Sequence, residues 1–270
     1  MNNDNKWIEM TNNILNKQLE LFKSNEFDAC KNRKGIRRKT GQLLEKYYCQ
    51  LVAQNNIQIT IEVGAHEATF SKISKELNPS CECFAFEANP YVYKKYSGEL
   101  NALGIDYQNL AINDSNNDIE LSIPIKLKHR VLELDNRISS IHKRDQPNVE
   151  YEVIQVKSNR LDHLFANKPQ PKALWIDVEG AQYEVISSFG SMWPSVAFIY
   201  IEIEHRNVWS NKFDIKNINK LFESHGFVEI MRDNLARGQY NAVFTSVSTA
   251  DNKSTTELVN SYLNDIKKLL

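Results

Sequence analysis

The sequence predicts an α/β fold built on a mostly parallel sheet whose last strand is antiparallel, with helical extensions at both ends. The stretch Ile57–Val63 alternates β-branched apolar residues, contains no proline and leads through Gly64 into a helical stretch. The apolar run Ala173–Ile176 also leads from a strand into a helix. Near the C-terminus, the strands Phe227–Met231 and Tyr240–Ser246 follow each other without a helix, which fits antiparallel pairing.

The length and composition fit one large domain with appendages. The chain has 270 residues, of which 41% are hydrophobic and 25% charged, fractions typical of a soluble globular protein. We expect an N-terminal helical extension over residues 1–55, the main domain over 56–247 and a C-terminal helix over 248–270. The net charge of -1 gives no electrostatic footprint for nucleic acid, so we expect no nucleic-acid partner.

Nothing in the sequence predicts a membrane span, a signal peptide or a zinc site. No apolar run approaches the roughly 20 residues of a transmembrane helix, and the polar start MNNDNKW lacks the basic and apolar regions of a signal peptide. The four cysteines form no Cys-x-x-Cys pair. We therefore expect a cytoplasmic protein with reduced thiols.

The turn after the first strand predicts the kind of ligand. Glu62 places a carboxylate at the strand tip, where open α/β sheets bind their ligands. A dinucleotide-binding turn carries three glycines, but the four residues after Gly64 are AHEA, and Glu62 and Glu67 would repel a pyrophosphate. A ligand with an ammonium group and ribose hydroxyls fits better, and S-adenosylmethionine (SAM) is the common one. An NAD-dependent oxidoreductase is the enzyme alternative, disfavoured by the missing glycines.

The second strand repeats this arrangement. The segment Cys81–Glu87 is short and apolar, ends in an acid, and is followed by the Asn89-Pro90 break and a helical run. In nucleoside-binding α/β folds the acid that ends the second strand accepts hydrogen bonds from both ribose hydroxyls. Glu87 is the candidate for that role, and a solvated loop carboxylate is the alternative.

The next strand end and a long loop supply further candidates. Ala111 follows a strand and is small enough to leave room for an adenine ring, and Asp114 is either an acceptor for the adenine amine or a plain turn residue. The polar loop Arg130–Asp145 contains Arg137, Ser139, Ser140 and His142. Because long loops in compact domains are commonly functional or mobile, we expect this one to border the substrate.

Carboxylates also follow two later strands. Asp177 and Glu179 come after the strand that ends at Ile176, and the buried strand Val196–Glu204 ends in Glu202 and Glu204 and is followed by His205. Burying unpaired carboxylates costs several kcal/mol, so we expect them to face a cation, a substrate or a metal. Ion pairs with Arg206 or Lys212 are the alternative.

Amphipathic helices are predicted at both ends of the chain. Apolar residues from Trp7 to Phe22 and from Leu258 to Leu270 recur at three- and four-residue spacings. These helices cover their own domain or form a homodimer contact. The basic run Lys31–Lys39 is interpreted as a solvated linker, with a patch for an anionic substrate as the alternative, and a helix is expected over Thr40–Gln54.

Five short motifs, in this order, resemble the FkbM family of SAM-dependent methyltransferases. The resemblance covers roughly Ile57–Ser246. It implies a Rossmann-like class I methyltransferase fold with a seven-stranded sheet, and methylation of a hydroxyl on a sugar, glycan or secondary metabolite. The motifs are Glu62-Val-Gly-Ala-His-Glu-Ala, Phe86-Glu87-Ala-Asn-Pro90, Asn109-Leu-Ala111, Arg160-Leu-Asp162 and Ile176-Asp-Val-Glu-Gly-Ala181.

Carried over to this chain, the resemblance assigns the cofactor contacts. It implies that Glu62, Gly64 and Ser71 contact the methionine end of SAM, that Glu87 accepts from the ribose, and that Ala111 lies beside the adenine. Asp177 would face the methyl group and the acceptor.

The chain departs from the family pattern at several of these positions. The family usually has Asp, Asn and Gly in place of Glu62, His66 and Ala68, and Lys in place of Trp175. His66 stays a cofactor-binding candidate, although the asparagine amide hydrogen bonds are lost. The departures at His66 and Trp175 favour a rival from another class, a catalytically silent nucleoside-binding module.

Methyl transfer to a hydroxyl needs positioning and a base. His205 is the first candidate because an unperturbed histidine titrates near neutral pH, and Asp177 is the second. Glu179 and Glu202 would orient the acceptor hydroxyl. A Mg²⁺ ion at these acids is an alternative that we do not favour.

Overall fold

The structure is a computed structural model that describes Asn16 and residues 33–204, 209–210, 215–233 and 239–269. The helices are α1 (Arg33–Gln54), α2 (Thr69–Leu77), α3 (Pro90–Ala102), α4 (Leu161–Leu164), α5 (Gln182–Ser187), α6 (Ile215–Ser224), α7 (Val247–Ala250) and α8 (Lys253–Leu269), with a 3-10 helix at Gly190–Ser195. The strands are β1 (Ile59–Val63), β2 (Glu82–Glu87), β3 (Ile105–Asn109), β4 (Ala111–Ile112), β5 (Ile119–Leu127), β6 (Arg130–Val131), β7 (Val149–Val156), β8 (Ser158–Asn159), β9 (Lys172–Ile176), β10 (Val196–Glu204), β11 (Phe227–Arg232) and β12 (Gln239–Ser246).

Seven strands form the main sheet, in the order β11-β12-β10-β9-β1-β2-β3. β1 pairs in parallel with both β2 and β9, and every residue of β1 is buried. β12 is antiparallel to both β10 and β11. The sheet is therefore mostly parallel with an antiparallel last strand, as the sequence predicts. Because β1, β2 and β9 run in the same direction, the acids at their ends meet at one edge of the sheet.

Strands β5, β6 and β7, in the middle of the chain, form a separate three-stranded sheet. β5 pairs antiparallel with β6 and with β7. This small sheet presents the long polar loop to the main sheet, because the Ser122 amide donates to the Ser140 carbonyl at 2.8 Å and the Ser140 amide donates back at 3.0 Å. The loop is therefore fixed at its far end by a pair of backbone hydrogen bonds.

Apolar side chains cover both faces of the main sheet. One core, which includes Leu174 and Ile201, packs under α4, α5 and α6. The other core lies under α1 and α8, where the Tyr48 hydroxyl donates to the Leu174 carbonyl at 2.5 Å. Helix α8 packs directly on α1, with the Tyr47 and Tyr262 rings 5.6 Å apart. The amphipathic face of α8 is therefore buried against its own domain.

The basic run is wrongly interpreted as a linker from the sequence. Its described part, residues 33–39, forms the first turns of α1. Arginine and lysine are good helix formers, and the run continues without a break into the apolar face that anchors the rest of α1. The predicted helix from Trp7 to Phe22 lies outside the described residues, so the dimer contact stays a prediction. Among the described residues, no helix is long and apolar enough to cross a bilayer.

Candidate active site

A cavity of about 300 Å³ opens at the carboxyl ends of β1, β2 and β9. The first turn after each of these strands lines it, together with Glu45 and Cys49 of α1 and the long polar loop. Of the sequence-predicted site residues, the lining contains Glu62, Gly64, His66, Glu87, Ala111, Asp177 and Glu179. Residues from four separate parts of the chain are thus brought together as expected.

Gly64 allows the turns after β1 and β9 to approach each other closely. Its φ is +75°, and a Cβ atom placed on it would lie 2.1 Å from the carbonyl oxygen of Asp177. The Asp177 amide donates to the Val63 carbonyl at 3.0 Å, which holds the two turns together. A side chain at position 64 would therefore force Asp177 out of the cavity floor.

Glu62 is bonded to the start of helix α2. Its carboxylate is 3% exposed and accepts hydrogen bonds from the Phe70 amide at 3.3 Å, the Ser71 amide at 2.8 Å and the Ser71 hydroxyl at 2.7 Å. Ala68 precedes the helix and provides no side-chain cap, so Glu62 satisfies amides that would otherwise lack partners. Burial raises the pKa of Glu62 to about 7.

Ser71 does not line the cavity. It is fully buried behind Glu62 and its hydroxyl is used on that carboxylate. Its predicted contact with the methionine end is untested, and the contact that the structure shows is indirect. Ser71 orients Glu62, and Glu62 lines the cavity.

Glu87 ends β2 and is held by two backbone amides. Its Oε2 accepts from the His66 amide at 2.9 Å, and its Oε1 accepts from the Asn89 amide at 2.8 Å. Burial raises its pKa above the ordinary value, and the amide hydrogen bonds oppose that rise. A carboxylate has about four acceptor positions, so each oxygen retains capacity for one more donor. Two adjacent hydroxyls, such as those of a ribose, fit this remaining capacity.

His66 takes the left-handed backbone conformation, with φ +46°. This conformation aims its amide at Glu87, and its carbonyl accepts from the Tyr107 hydroxyl at 2.7 Å. Histidine and asparagine are both enriched among non-glycine residues with positive φ, so the change from the family's asparagine preserves the turn. Burial lowers the pKa of His66, which favours a neutral ring at the cavity wall.

The two adenine candidates are separated by the fold. Ala111 is buried and lines the cavity. Asp114 is exposed and lies outside the lining, and its carbonyl oxygen accepts from Arg160 Nη1 at 2.7 Å. Arg160 also forms a two-pronged ion pair with Asp162, at 2.9 and 3.0 Å. The Arg-Leu-Asp motif therefore fixes the turn that contains Asp114.

The long polar loop borders the cavity, as predicted. We call residues 132–141 the cavity loop. Asn89 Nδ2 donates to the Leu134 carbonyl at 2.7 Å and to Ser139 Oγ at 3.0 Å, and Arg137 Nη2 lies 3.1 Å from Glu67 Oε1. The sequence analysis did not single out Asn89, although it belongs to the Phe-Glu-Ala-Asn-Pro motif. Its side chain connects the cavity loop to the turn that follows β2.

The remaining acids lie beside the cavity at the ends of β9 and β10. Asp177 is exposed to the cavity, and Glu179 Oε2 accepts from Arg144 Nη2 at 3.0 Å. Burial raises the pKa of Asp177 and raises the pKa of Glu179 to about 7, although Arg144 opposes the change at Glu179. Glu179 is therefore poised to exchange a proton near neutral pH.

Among the described residues, Glu202 and Glu204 each accept a hydrogen bond from a polar side chain. Glu202 Oε2 accepts from Gln239 Nε2 at 3.1 Å, and Glu204 accepts from the indole N–H of Trp209. Burial and the neighbouring carboxylate of Asp177 raise the pKa of Glu202 to about 9. His205, Arg206 and Lys212 lie outside the described residues, so the roles predicted for them stay predictions.

No three His, Cys, Asp or Glu side chains are grouped to hold a metal ion within the part of the chain that the structure describes. Trp175, which replaces the family's lysine, stacks on Tyr200 with ring centroids 3.6 Å apart and on Phe70 at 5.5 Å. It closes the cavity floor with aromatic surface. The arrangement suits an organic ligand with hydroxyls at the Glu87 end and a positive centre near Asp177.

Comparisons with known proteins agree with this site. The model of the methyltransferase FkbM domain matches residues 62–229. The 2-O-methyltransferase NoeI of Sinorhizobium fredii (strain NBRC 101917 / NGR234) is 24% identical over 209 residues, which cover 72% of this chain and 83% of NoeI.

Solved methyltransferase structures are also similar. Methyltransferase FkbM from Methylobacillus flagellatus KT gives a TM-score of 0.42 at 11% identity, over 70% of this chain and 43% of that one. Magnesium protoporphyrin IX methyltransferase (ChlM) from Synechocystis PCC 6803, solved with bound SAM, gives 0.40 at 9% identity, over 84% of this chain and 94% of that one.

The family match covers more than half of the chain and every strand tip that forms the cavity. It favours a methyltransferase over the NAD-dependent oxidoreductase that the sequence left open. The chain belongs to the FkbM family of SAM-dependent methyltransferases.

Proposed function

We propose that the protein transfers the methyl group of SAM to a hydroxyl of a sugar, a glycan or a secondary metabolite. The observation that carries this proposal is the placement of two carboxylates in one cavity, after the strands on either side of β1. Glu87 offers acceptor capacity for ribose hydroxyls, and Asp177 is exposed to the cavity, where an acceptor hydroxyl would lose its proton. The name of the relative NoeI, a 2-O-methyltransferase, supports an oxygen acceptor.

The residues proposed to hold the cofactor are those of the cavity wall. Glu87 would bind the ribose, Ala111 would lie against the adenine, and the turn after Gly64 would surround the methionine part. The cofactor supplies an electrophilic methyl group next to a sulfonium. The acids near Asp177 favour a positive centre in that position.

The proposed chemical step needs a proton acceptor beside the attacking oxygen. The acceptor oxygen forms a bond to the methyl carbon, the carbon–sulfur bond breaks, and the hydroxyl proton passes to Asp177. Glu179 and Glu202 would orient the hydroxyl, since their raised pKa values let them donate as well as accept a hydrogen bond. His205 stays the alternative base.

The acceptor that we propose is a small molecule or a glycan rather than a nucleic acid, in line with the net charge of -1. We further propose a cytoplasmic location. Among the described residues, Cys49, Cys81 and Cys83 are free thiols, as is usual in a reducing compartment.

Two measurements test the proposed function. Calorimetric titration with SAM and with NAD should show binding of SAM alone. A screen over neutral sugars and oligosaccharides, followed by mass spectrometry, should then find a product heavier by one methyl group. Asp177→Asn should lower kcat by roughly a hundred- to ten-thousandfold, while affinity for S-adenosylhomocysteine, which lacks the sulfonium charge, is kept. Full SAM affinity without turnover on any acceptor would contradict the proposal.

A further inference from the structure

The cavity has an unusual charge balance. Six carboxylic acids line it: Glu45, Glu62, Glu67, Glu87, Asp177 and Glu179. Among the described residues of the lining, the only lysine or arginine is Arg137. This lining suits the sulfonium and the α-ammonium group of the proposed cofactor, but it disfavours the α-carboxylate at the end of the methionine part. Burying that anion among acids without a cation would be strongly unfavourable.

Few backbone amides are available to bind the α-carboxylate of the methionine part. In glycine-rich turns the first amides of the helix commonly bind an anion. Here the amides of Phe70 and Ser71 donate to Glu62, and the amide of His66 donates to Glu87. The Gly64 and Ala65 amides both donate to the Phe86 carbonyl, at 3.0 Å each. Most backbone amides of the turn after β1 therefore donate to acceptors within the protein and not to a ligand.

Arg137 lies where the missing positive charge is needed. It belongs to the cavity loop, and its Nη2 is 3.1 Å from Glu67, a residue of the turn after β1. Its charge also acts on Asp177, on the methyl-transfer side of the cavity. The Arg137 side chain is 67% exposed, so the guanidinium can leave Glu67 and turn inward without breaking a buried contact.

We propose that Arg137 binds the α-carboxylate of the methionine part of SAM and exchanges Glu67 for the ligand. This assignment rests on the proposed function and adds a binding residue to it. Arginine presents two parallel N–H donors that match a carboxylate, which gives orientation as well as attraction. Because Asn89 ties the cavity loop to the Glu87 end, the same loop would contact the cofactor at its methionine end while staying anchored near its ribose.

The test compares two ligands that differ in the methionine part. S-adenosylhomocysteine (SAH) carries the α-carboxylate, whereas 5′-methylthioadenosine has the same nucleoside and sulfur but no amino-acid part. Calorimetry on the full chain should show that Arg137→Gln lowers SAH affinity about ten- to a hundredfold and leaves 5′-methylthioadenosine affinity within about twofold. Arg137→Lys should restore part of the SAH affinity, because it keeps the charge but not the paired donors.

Glu67→Gln is the matched control, because it breaks the same ion pair and keeps the cation. SAH affinity should be unchanged or higher in this variant. A loss like that of Arg137→Gln would mean that the ion pair matters only as a structural contact, and would overturn the assignment.

The remaining outcomes separate the assignment from the function. Equal losses for both ligands in Arg137→Gln, or no loss for either, would also overturn the assignment of Arg137 while leaving the proposed function intact. A wild-type chain that binds neither SAH nor 5′-methylthioadenosine would overturn the proposed function and the assignment with it.

Discussion

Glu62, at the tip of β1, accepts two hydrogen bonds from Ser71, one from its amide at 2.8 Å and one from its hydroxyl at 2.7 Å. A third bond from the Phe70 amide makes this buried carboxylate the acceptor for the start of α2. Family resemblance implies that position 62 contacts the cofactor. In this chain the Glu62 carboxylate binds the first amides of α2. The position of the cavity wall therefore depends on Glu62.

Replacing Glu62 by Gln should lower the free energy of unfolding by about 1–3 kcal/mol, because an amide group would face at least one N–H donor of α2. Ser71→Ala should cost about 1 kcal/mol through loss of the hydroxyl bond. Ser74→Ala is the matched control, since its buried hydroxyl donates only to the Phe70 carbonyl in the same helix. Urea unfolding measures all three. Equal stability of Glu62→Gln and the wild type would refute this role.

Gly64→Ala should destabilise the protein by about 3 kcal/mol or more, since the new Cβ meets the Asp177 carbonyl oxygen at 2.1 Å and the backbone has positive φ. Gly98→Ala is a control for which we expect the opposite change in the free energy of unfolding. Gly98 lies in α3 with no atom within 4 Å of its added Cβ, so alanine there should stabilise by about 0.5–1 kcal/mol. Thermal unfolding of the two variants tests both expectations. A Gly64→Ala variant as stable as the wild type would show that the turns after β1 and β9 are not in tight contact.

The strand tips could be predicted from the sequence because each depends on a local pattern. A run of buried residues followed by glycine and an acid marks the end of a parallel strand, and parallel strands share one edge. Glu87 and Asp177 were found in this way, Ala111 was found as a small residue after a strand, and the structure places all three around the cavity. The antiparallel last strand followed from two strands joined without a helix, whereas the count of seven strands was implied by the family resemblance.

Contacts between distant parts of the chain could not be predicted in this way. The partners Arg137 and Glu67 are 70 positions apart in sequence, and their ion pair depends on the small sheet that carries the cavity loop. Asp114 was left as either an adenine acceptor or a turn residue, because nothing local shows that it lies outside the cavity lining with its carbonyl held by Arg160. The basic start of α1 was taken for a linker because charge density resembles a solvated loop, whereas its helical form follows from the apolar residues further along α1.

Glu87→Gln should weaken SAH binding about tenfold to a hundredfold, because hydrogen bonds from hydroxyls to a charged acceptor contribute about 1.5–3 kcal/mol. Asp114→Asn should leave the affinity unchanged, since Asp114 lies outside the cavity lining. Calorimetric titration compares the SAH affinity of the two variants. Thermal unfolding confirms that both are folded. An effect at Asp114 as large as that at Glu87 would place the nucleoside elsewhere.

The stability of the protein should fall as pH rises from about 4.5 to about 9. Burial raises the pKa of Glu202 from 4.5 to about 9, and that of Glu179 to about 7. Over this range the folded chain therefore holds protons that the unfolded chain has released, and deprotonation favours unfolding. Melting temperatures measured across the range should show the decline.

Glu202→Gln should flatten that decline and raise the melting temperature most at the alkaline end, because glutamine never ionises and keeps an oxygen for the Gln239 amide. Glu76→Gln, at an exposed position outside the acid cluster, should leave the slope unchanged. Glu179 and Glu202 then hold protons beside Asp177 in the folded chain, and the loss of these protons lowers the free energy of unfolding. If Glu202→Gln melts with the same pH slope as the wild type, Glu202 is already ionised in the folded chain and cannot donate a hydrogen bond to an acceptor.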